Sequence, residues 1–156
     1  MKPKAAKSRP VRTARNSDKY VLYTEAVQSP DAEVDFLCKV YRGRNKRLPV
    51  VVREDFCGTA AICCEWVRRG PANRSIGVDL DPEPLAWGRS HYIARLSPGQ
   101  AGRVSLLQDN VLTVRTEPVD VLLALNFSFC VFKRRAVLVR SEERRVGKEC
   151  RTRWSP

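Results

Sequence analysis

Apolar and polar positions follow two rhythms along this chain, one helical and one of short continuous runs. Val34, Leu37, Cys38 and Tyr41 fall at i, i+3, i+4 and i+7, the stripe of an amphipathic helix. Ser29-Pro30-Asp31 suits its start: a capping residue, a proline at the first helical position, and acids in the first turn. Gly43 and the basic run Arg44 to Arg47 end it. Leu48 to Val52 is a continuous apolar run, which predicts a strand buried on both faces. A helix is expected from about Ala60 to Arg69, closed by Gly70-Pro71. Ser75 to Leu80 predicts a second strand, and Pro82 opens a helix reaching about Leu96, before the break at Ser97-Pro98-Gly99. Val104 to Gln108 and Val119 to Asn126 complete four strands. Strands alternating with helices predict an α/β fold with a parallel sheet and right-handed crossovers.

From about Ser141 to Pro156 the chain is dense in charge and carries neither period. This stretch is expected to be a non-native charged tail rather than part of the fold, with a natural charged extension as the alternative. Ordered structure is expected over residues 18–140, preceded by a basic, disordered arm over residues 1–17.

The 156 residues suffice for one compact core. No apolar run approaches the roughly 20 residues of a membrane span, and no apolar segment follows the basic N-terminus as in a secretory signal. A cytoplasmic protein without membrane contact is the expectation. The net charge of +12 raises the question of nucleic acid. Residues 1–19 carry +6 of it and residues 141–156 carry +2, leaving +4 on the body. The excess is terminal, so weak contact with nucleic acid through the arm is the most that charge supports. The cysteines (Cys38, Cys57, Cys63, Cys64, Cys130 and Cys150) form no C-x2-C pair. They read as reduced, buried thiols rather than as a zinc site.

Candidate chemistry gathers where the strands end. Glu54 and Asp55 set carboxylates after the first strand, and Gly58-Thr59-Ala60-Ala61 is a small-residue turn leading into a helix. Small residues there let the backbone come close to a nucleotide-like ligand. Asp79 ends the second strand 21 residues after Gly58, a spacing at which an acid can hold both hydroxyls of a ribose. Asp81, directly before Pro82, fits the helix-cap role better. Asp109 follows the third strand, where a carboxylate can accept from an exocyclic amine or close a loop turn. Asn126, in Leu125-Asn126-Phe127-Ser128-Phe129, ends the fourth strand. His91, Trp66, Trp87 and Tyr92 read as packing residues, with Trp87 a candidate border for an adenine. Cys57 reads as a small residue rather than a nucleophile.

These signals, in this order, resemble the class I S-adenosylmethionine-dependent methyltransferase family. The likeness is greatest to an uncharacterised bacterial group with Glu-Asp-Phe-Cys-Gly-Thr as first motif, here Glu54 to Thr59. Gly77 to Leu85 and Asn126 to Lys133 also match that group, and the resemblance spans about Asp18 to Arg135. It implies a Rossmann-like parallel sheet, here incomplete, with about four strands of seven. It implies S-adenosylmethionine as cofactor, bound by Glu54, Asp55, Gly58, Thr59, Asp79, Asp109 and Asn126. Glu54 would orient the methionine amino end and Gly58 approach it; Asp79 would hold the ribose and Asp109 the adenine amine. Asn126 would face the transfer site as the candidate catalytic residue. Phe56 and Ala60 depart from the pattern, standing where many members have glycine. Asn126 to Phe129 partly matches the Asn/Asp-Pro-Pro-Tyr/Phe motif of amino-group methyltransferases, but both prolines are missing and the methyl acceptor is not read from it.

The family's strand order would leave Val119 to Phe132 as an exposed apolar edge, so this polypeptide is expected to fold poorly and to be inactive. Two other readings remain open from the sequence. An NAD(P)-binding Rossmann oxidoreductase shares the strand, turn, helix and acid layout, although a one-glycine turn suits a pyrophosphate poorly. A non-catalytic nucleic-acid-binding protein would use the basic arm.

Overall fold

The computed structural model describes residue 13, residues 16–126 and residues 128–146. The expected arm therefore lies outside the described residues except for Thr13, Asn16 and Ser17, and of the expected tail only residues 141–146 are described.

Four parallel strands form one sheet in the order β3-β2-β1-β4: β1 (Val51–Asp55), β2 (Arg74–Asp79), β3 (Val104–Gln108) and β4 (Val121–Leu123). Six helices accompany them among the described residues: α1 (Lys19–Val27), α2 (Pro30–Asn45), α3 (Ala61–Arg68), α4 (Pro82–His91), the single turn α5 (Pro98–Ala101) and α6 (Arg135–Val146). The chain winds from β1 through α3 to β2 and through α4 to β3, then returns to set β4 on the other side of β1. The direction of winding thus reverses at β1, and in open parallel sheets the carboxyl ends of the strands at such a reversal are where ligands bind.

Side chains of β1 alternate between the two faces, as strand geometry requires. Val52 packs with Val34 and Leu37 of α2 and with Ile62 and Trp66 of α3. Val51, on the other face, packs with Ile76, Val78, Val111, Val114 and Val119. The three valines of the 110–119 segment cover that second face without forming a helix.

Arg53 makes this irregular covering possible. Its side chain is fully buried, and its Nε–H donates to Asp55 Oδ1 at 2.7 Å. One Nη donates to Thr116 Oγ1 (3.3 Å) and the other to the Val111 carbonyl (3.4 Å). A guanidinium thus satisfies polar groups that a crossover helix would have paired within itself.

The third strand lies where its pattern predicts, and β2 is one residue offset. The first strand does not. The apolar run predicted Leu48 to Val52, yet Leu48 and Val50 are exposed and the strand continues to Asp55 with all five residues buried. Mutual pairing of Arg53 and Asp55, and protonation of Glu54, let charged residue types occupy a central strand. The fourth strand is shorter than expected at both ends: Asp120 before it caps β1, and the chain leaves the ladder after Leu123 to turn at Asn126 (φ 55°). Asp120 Oδ2 accepts from the Val50 and Val51 N–H groups (2.7 and 3.0 Å), and its Oδ1 from Arg47 at 2.9 Å. β4 is an edge strand among the described residues, with Val121, Leu122 and Leu123 half-buried.

The helix from Pro82 stops at His91; a 3-10 turn over Ile93–Arg95 then brings Leu96 into the core. Ser29 precedes α2 but makes no capping bond, its hydroxyl turning to Asp31 Oδ1 instead at 3.2 Å. Helix α1, which no apolar stripe announced, is capped by Asp18 and buries no residue of its own. It docks on α4 through polar and aromatic contacts: Trp87 Nε1–H donates to Asp18 Oδ2 (2.7 Å), and Tyr20 lies 5.3 Å from the Trp87 ring. Helix α6 crosses the boundary expected after Arg140, and Ser141 is buried.

Candidate cofactor site

The carboxyl edge of the sheet brings together residues from all four strands. Reading across the order β3-β2-β1-β4, Asp109 follows β3, Asp79 ends β2, Glu54 and the Phe56 to Ala60 loop end β1, and Asn126 follows β4. Adjacent strands lie about 4.8 Å apart, so the row from Asp109 to Glu54 extends about 10 Å, the scale of an elongated ligand.

The loop after β1 has an unusual backbone. Phe56, Gly58 and Ala60 all take positive φ, at 61°, 53° and 59°. Three alternate residues of the loop thus take the left-handed conformation, two of them without being glycine. A non-glycine residue there costs roughly 1–2 kcal/mol, and the surroundings hold it: Phe56 packs edge-on against Phe132 at 5.7 Å, and Ala60 is fully buried. The Cys57 N–H donates to the Val78 carbonyl (3.1 Å), and the Ala60 N–H to the Cys57 carbonyl (2.8 Å).

Two glycines outside the loop let other elements approach it. A Cβ on Gly88 of α4 would stand 2.2 Å from the Thr59 carbonyl oxygen. A Cβ on Gly77 of β2 would meet Cys57 Sγ at 2.8 Å. At Gly58 the opposite holds: a Cβ would meet nothing within 4 Å, so the space above this residue is open.

Asp79 ties the loop to β2. Its Oδ2 accepts from the Gly58 N–H at 2.7 Å and its Oδ1 from the Asp81 N–H at 3.0 Å. Each carboxylate oxygen keeps a further lone pair for a ligand hydroxyl. Asp81 caps α4 as its position suggested, accepting from the Glu83 N–H at 2.9 Å. Asp109 is exposed beside Asp79, whose carbonyl accepts the Asp109 N–H (3.0 Å), while Asp109 Oδ1 accepts from the Asn110 N–H. Asn126 is half-buried, with φ of 55° in the turn after β4. Thr59 is buried under α4.

Glu54 and Asp55, expected to act together, point to opposite faces of β1. Asp55 faces Arg53, its ion-pair partner. Glu54 faces α3 and is 3 % exposed; its Oε2 accepts from the Cys63 thiol at 3.4 Å. Burial pushes the Glu54 carboxyl up to about 8; the Cys63 thiol pulls it down, and the charges of Glu33 and Asp79 add to the rise. Burial likewise pushes the Cys57 and Cys63 thiols up, as suits packing residues rather than nucleophiles.

Glu33 of α2 is an acid that sequence reasoning took only for a first-turn charge. Its Oε2 is buried and has no hydrogen-bond partner. Burial, more than neighbouring Asp31, raises its carboxyl, while the Ser29 N–H lowers it. Arg53 was also missed, although two charges spaced i and i+2 on one strand must share a face. Trp87 is engaged in packing, its ring stacked on His91 at 4.1 Å and edge-on to Tyr92 at 5.2 Å.

No family model and no curated protein matches the chain. Solved structures do. SAM-bound CalS10, an amino pentose methyltransferase from Micromonospora echinaspora, matches with TM-score 0.62 and 18% identity, over 78% of this chain and 47% of that one. The plantazolicin methyltransferase BpumL in complex with SAH and a triazolic desmethylPZN analog matches with TM-score 0.64 and 13% identity, over 82% and 47%. The sugar N-methyltransferase KedS8 from Streptoalloteichus sp. matches with TM-score 0.59 and 20% identity, over 88% and 51%. The chain has the fold of the class I methyltransferases.

It spans about half the length of these structures. Within the methyltransferase fold, the strand order β3-β2-β1-β4 sets Asp109, Asp79 and Glu54 on one side of the winding reversal and Asn126 on the other. Among the described residues, no helix of this methyltransferase fold is long and apolar enough to cross a membrane.

Proposed function

We propose that this chain supplies the cofactor-binding part of an S-adenosylmethionine-dependent methyltransferase. The observation that carries the reading is Glu54, a buried carboxyl at the end of β1 just before the left-handed loop, raised further by the charges of Glu33 and Asp79. A carboxyl held protonated by burial gives up its proton to a ligand bearing positive charge, so these acids favour a cation. They oppose the pyrophosphate of an NAD(P) cofactor, which binds at helix N-termini by attraction. The open space above Gly58 supports the fit, since the backbone there is accessible to a ligand.

A bound S-adenosylmethionine would supply an electrophilic methyl carbon, passing in line to an acceptor lone pair as its sulfonium sulfur leaves as a neutral thioether. The residues of this chain bind and orient. Glu54 holds the methionyl ammonium, and the Gly58 and Thr59 backbone lies alongside it. Asp79 accepts from the ribose hydroxyls while its bond to Gly58 keeps the loop in place. Asp109, exposed at the end of β3, accepts from the adenine amine. Asp55 acts indirectly, fixing Arg53 and with it the far face of β1. Asn126 stands at the β4 end of the row, next to the transfer site.

The test is calorimetric titration of the folded chain with S-adenosylmethionine and, separately, with NADH and NADPH. Binding of S-adenosylmethionine alone, weakened at least tenfold by Asp79→Ala, is expected. A folded sample that binds a dinucleotide, or neither ligand, overturns the proposal.

A further inference from the structure

Phe56 holds a conformation that its own side chain disfavours. Its φ of 61° lies in the left-handed region, and for a bulky residue that conformation persists only where the surroundings impose it. Hydrogen bonds fix the residues just after it, Cys57 to the Val78 carbonyl and Gly58 to Asp79. Phe56 itself is held by packing. Its half-buried ring meets Phe132 edge-on, with centroids 5.7 Å apart and planes at 60°. Both rings lie against the core cluster that contains Val51, Val78 and Val119. Phe132 belongs to the segment that follows β4. There the Ser128 N–H and Oγ–H both donate to the Leu125 carbonyl, at 3.2 and 2.7 Å. These bonds close a turn around Asn126, whose φ is 55°, and the 3-10 turn Ser128–Val131 then leads directly into Phe132. One short segment thus carries Asn126 near its start and, at its end, the ring that packs on the cofactor loop.

We infer that Phe132 is a positioning residue: its ring holds Phe56, and with it the Gly58 loop, in the course the cofactor needs, and it carries occupancy of that loop to the turn that presents Asn126. The inference rests on the methyltransferase reading and adds to it a physical link between the two sides of the winding reversal. The link works in both directions, because a coupling free energy between two sites is reciprocal. A loop freed of Phe132 samples other courses, and apparent affinity falls with the fraction of loops still competent to bind. An edge-to-face aromatic pair sets the scale, about threefold to tenfold in that fraction.

Cys130, exposed in the same 3-10 turn, supplies a probe. Its alkylation by iodoacetamide is followed by peptide mass spectrometry with and without saturating S-adenosylhomocysteine, for the wild-type chain, Phe132→Leu and Phe132→Tyr. Calorimetry gives the affinity of each. The ligand is expected to change the Cys130 rate about threefold or more in the wild type and in Phe132→Tyr, and to leave it unchanged in Phe132→Leu. Phe132→Leu should also bind the ligand about threefold or more weakly. A residue that served stability alone would lower the melting temperature and leave the ligand's effect on Cys130 intact. A ligand effect that persists in Phe132→Leu, or undiminished affinity there, overturns the inference and leaves the methyltransferase reading intact. Phe132→Tyr as impaired as Phe132→Leu does the same, since an aromatic ring is then not what holds Phe56. A wild-type chain that binds with no change at Cys130 overturns it too, whether or not Phe132→Leu folds. A folded wild-type chain that does not bind removes both this inference and the reading beneath it.

Discussion

Replacing Glu54 with glutamine changes one proton equilibrium and little else in volume, so its effect on stability is calculable. The carboxyl titrates at about 8 in the folded chain, against 4.5 for the ordinary group. The folded state therefore holds a proton that the unfolded state has lost, throughout the window between those values. For an acid raised in this way, stability is complete below the unfolded value and falls as pH rises through the folded one. Each pH unit in the window removes about 1.4 kcal/mol, which over the whole interval gives a ceiling of about 5 kcal/mol. Glutamine cannot ionise, so Glu54→Gln lacks this slope. The buried thiols Cys57, Cys63 and Cys64 also lose stability in alkali, but only as pH passes their ordinary value of 9.0, so the window below about pH 8 isolates residue 54. Urea denaturation from about pH 5 to about pH 9 measures it. The variant should gain on the wild type steadily with pH and level off above about pH 8. Binding of a cation beside Glu54 should also expel its proton, so titrations near neutral pH should show about one proton released by the wild type and none by the variant. Parallel stability curves across the window would mean that Glu54 is ionised and solvated, and the argument for a cation-seeking pocket would fail.

Gly88→Ala drives a methyl group to 2.2 Å from the Thr59 carbonyl; a loss of about 1–3 kcal/mol by thermal melting and weaker S-adenosylmethionine binding are expected, and unchanged melting would show that α4 sits farther from the loop. Asp120→Ala leaves the Val50 and Val51 N–H groups and Arg47 without their acceptor, and should cost about 2–4 kcal/mol in urea denaturation. Burial alone would raise the Asp120 carboxyl, but the Val51 N–H, the Arg47 guanidinium and the Val50 N–H together hold it below the ordinary 3.8. Its contribution is therefore present above that value and is lost as pH falls through the lowered one; equal acid sensitivity of variant and wild type would contradict this. Lys46→Gly relieves a left-handed residue at the exposed end of α2 (φ 56°) and should raise stability by about 1 kcal/mol in the same assay.

The sequence by itself determined the α/β class, the alternation of four strands with helices, the bounds of β3 and the Asp81 cap. These follow from local periodicity and chain punctuation, which act within a few residues. Glu54, Gly58, Asp79, Asp109 and Asn126 were legible as candidates because strand ends in a parallel sheet are where ligands bind. Tertiary structure decided what local pattern cannot express. Arg53, Glu54 and Asp55 read as the polar end of a strand, yet all three are buried within it, because pairing and protonation offset the cost of desolvation. Phe56 and Ala60 looked like departures from a glycine loop, yet packing holds both in the conformation that glycine would take. Helix α1 has no apolar stripe and exists through its cap and its contacts with Trp87, 69 residues away in the chain. Asp55 turned to Arg53, and Glu54 to the Cys63 thiol of α3, by the alternation of one strand. Which acid seeks a ligand and which already has a partner is a matter of proximity, and proximity between distant residues exists only in the folded chain.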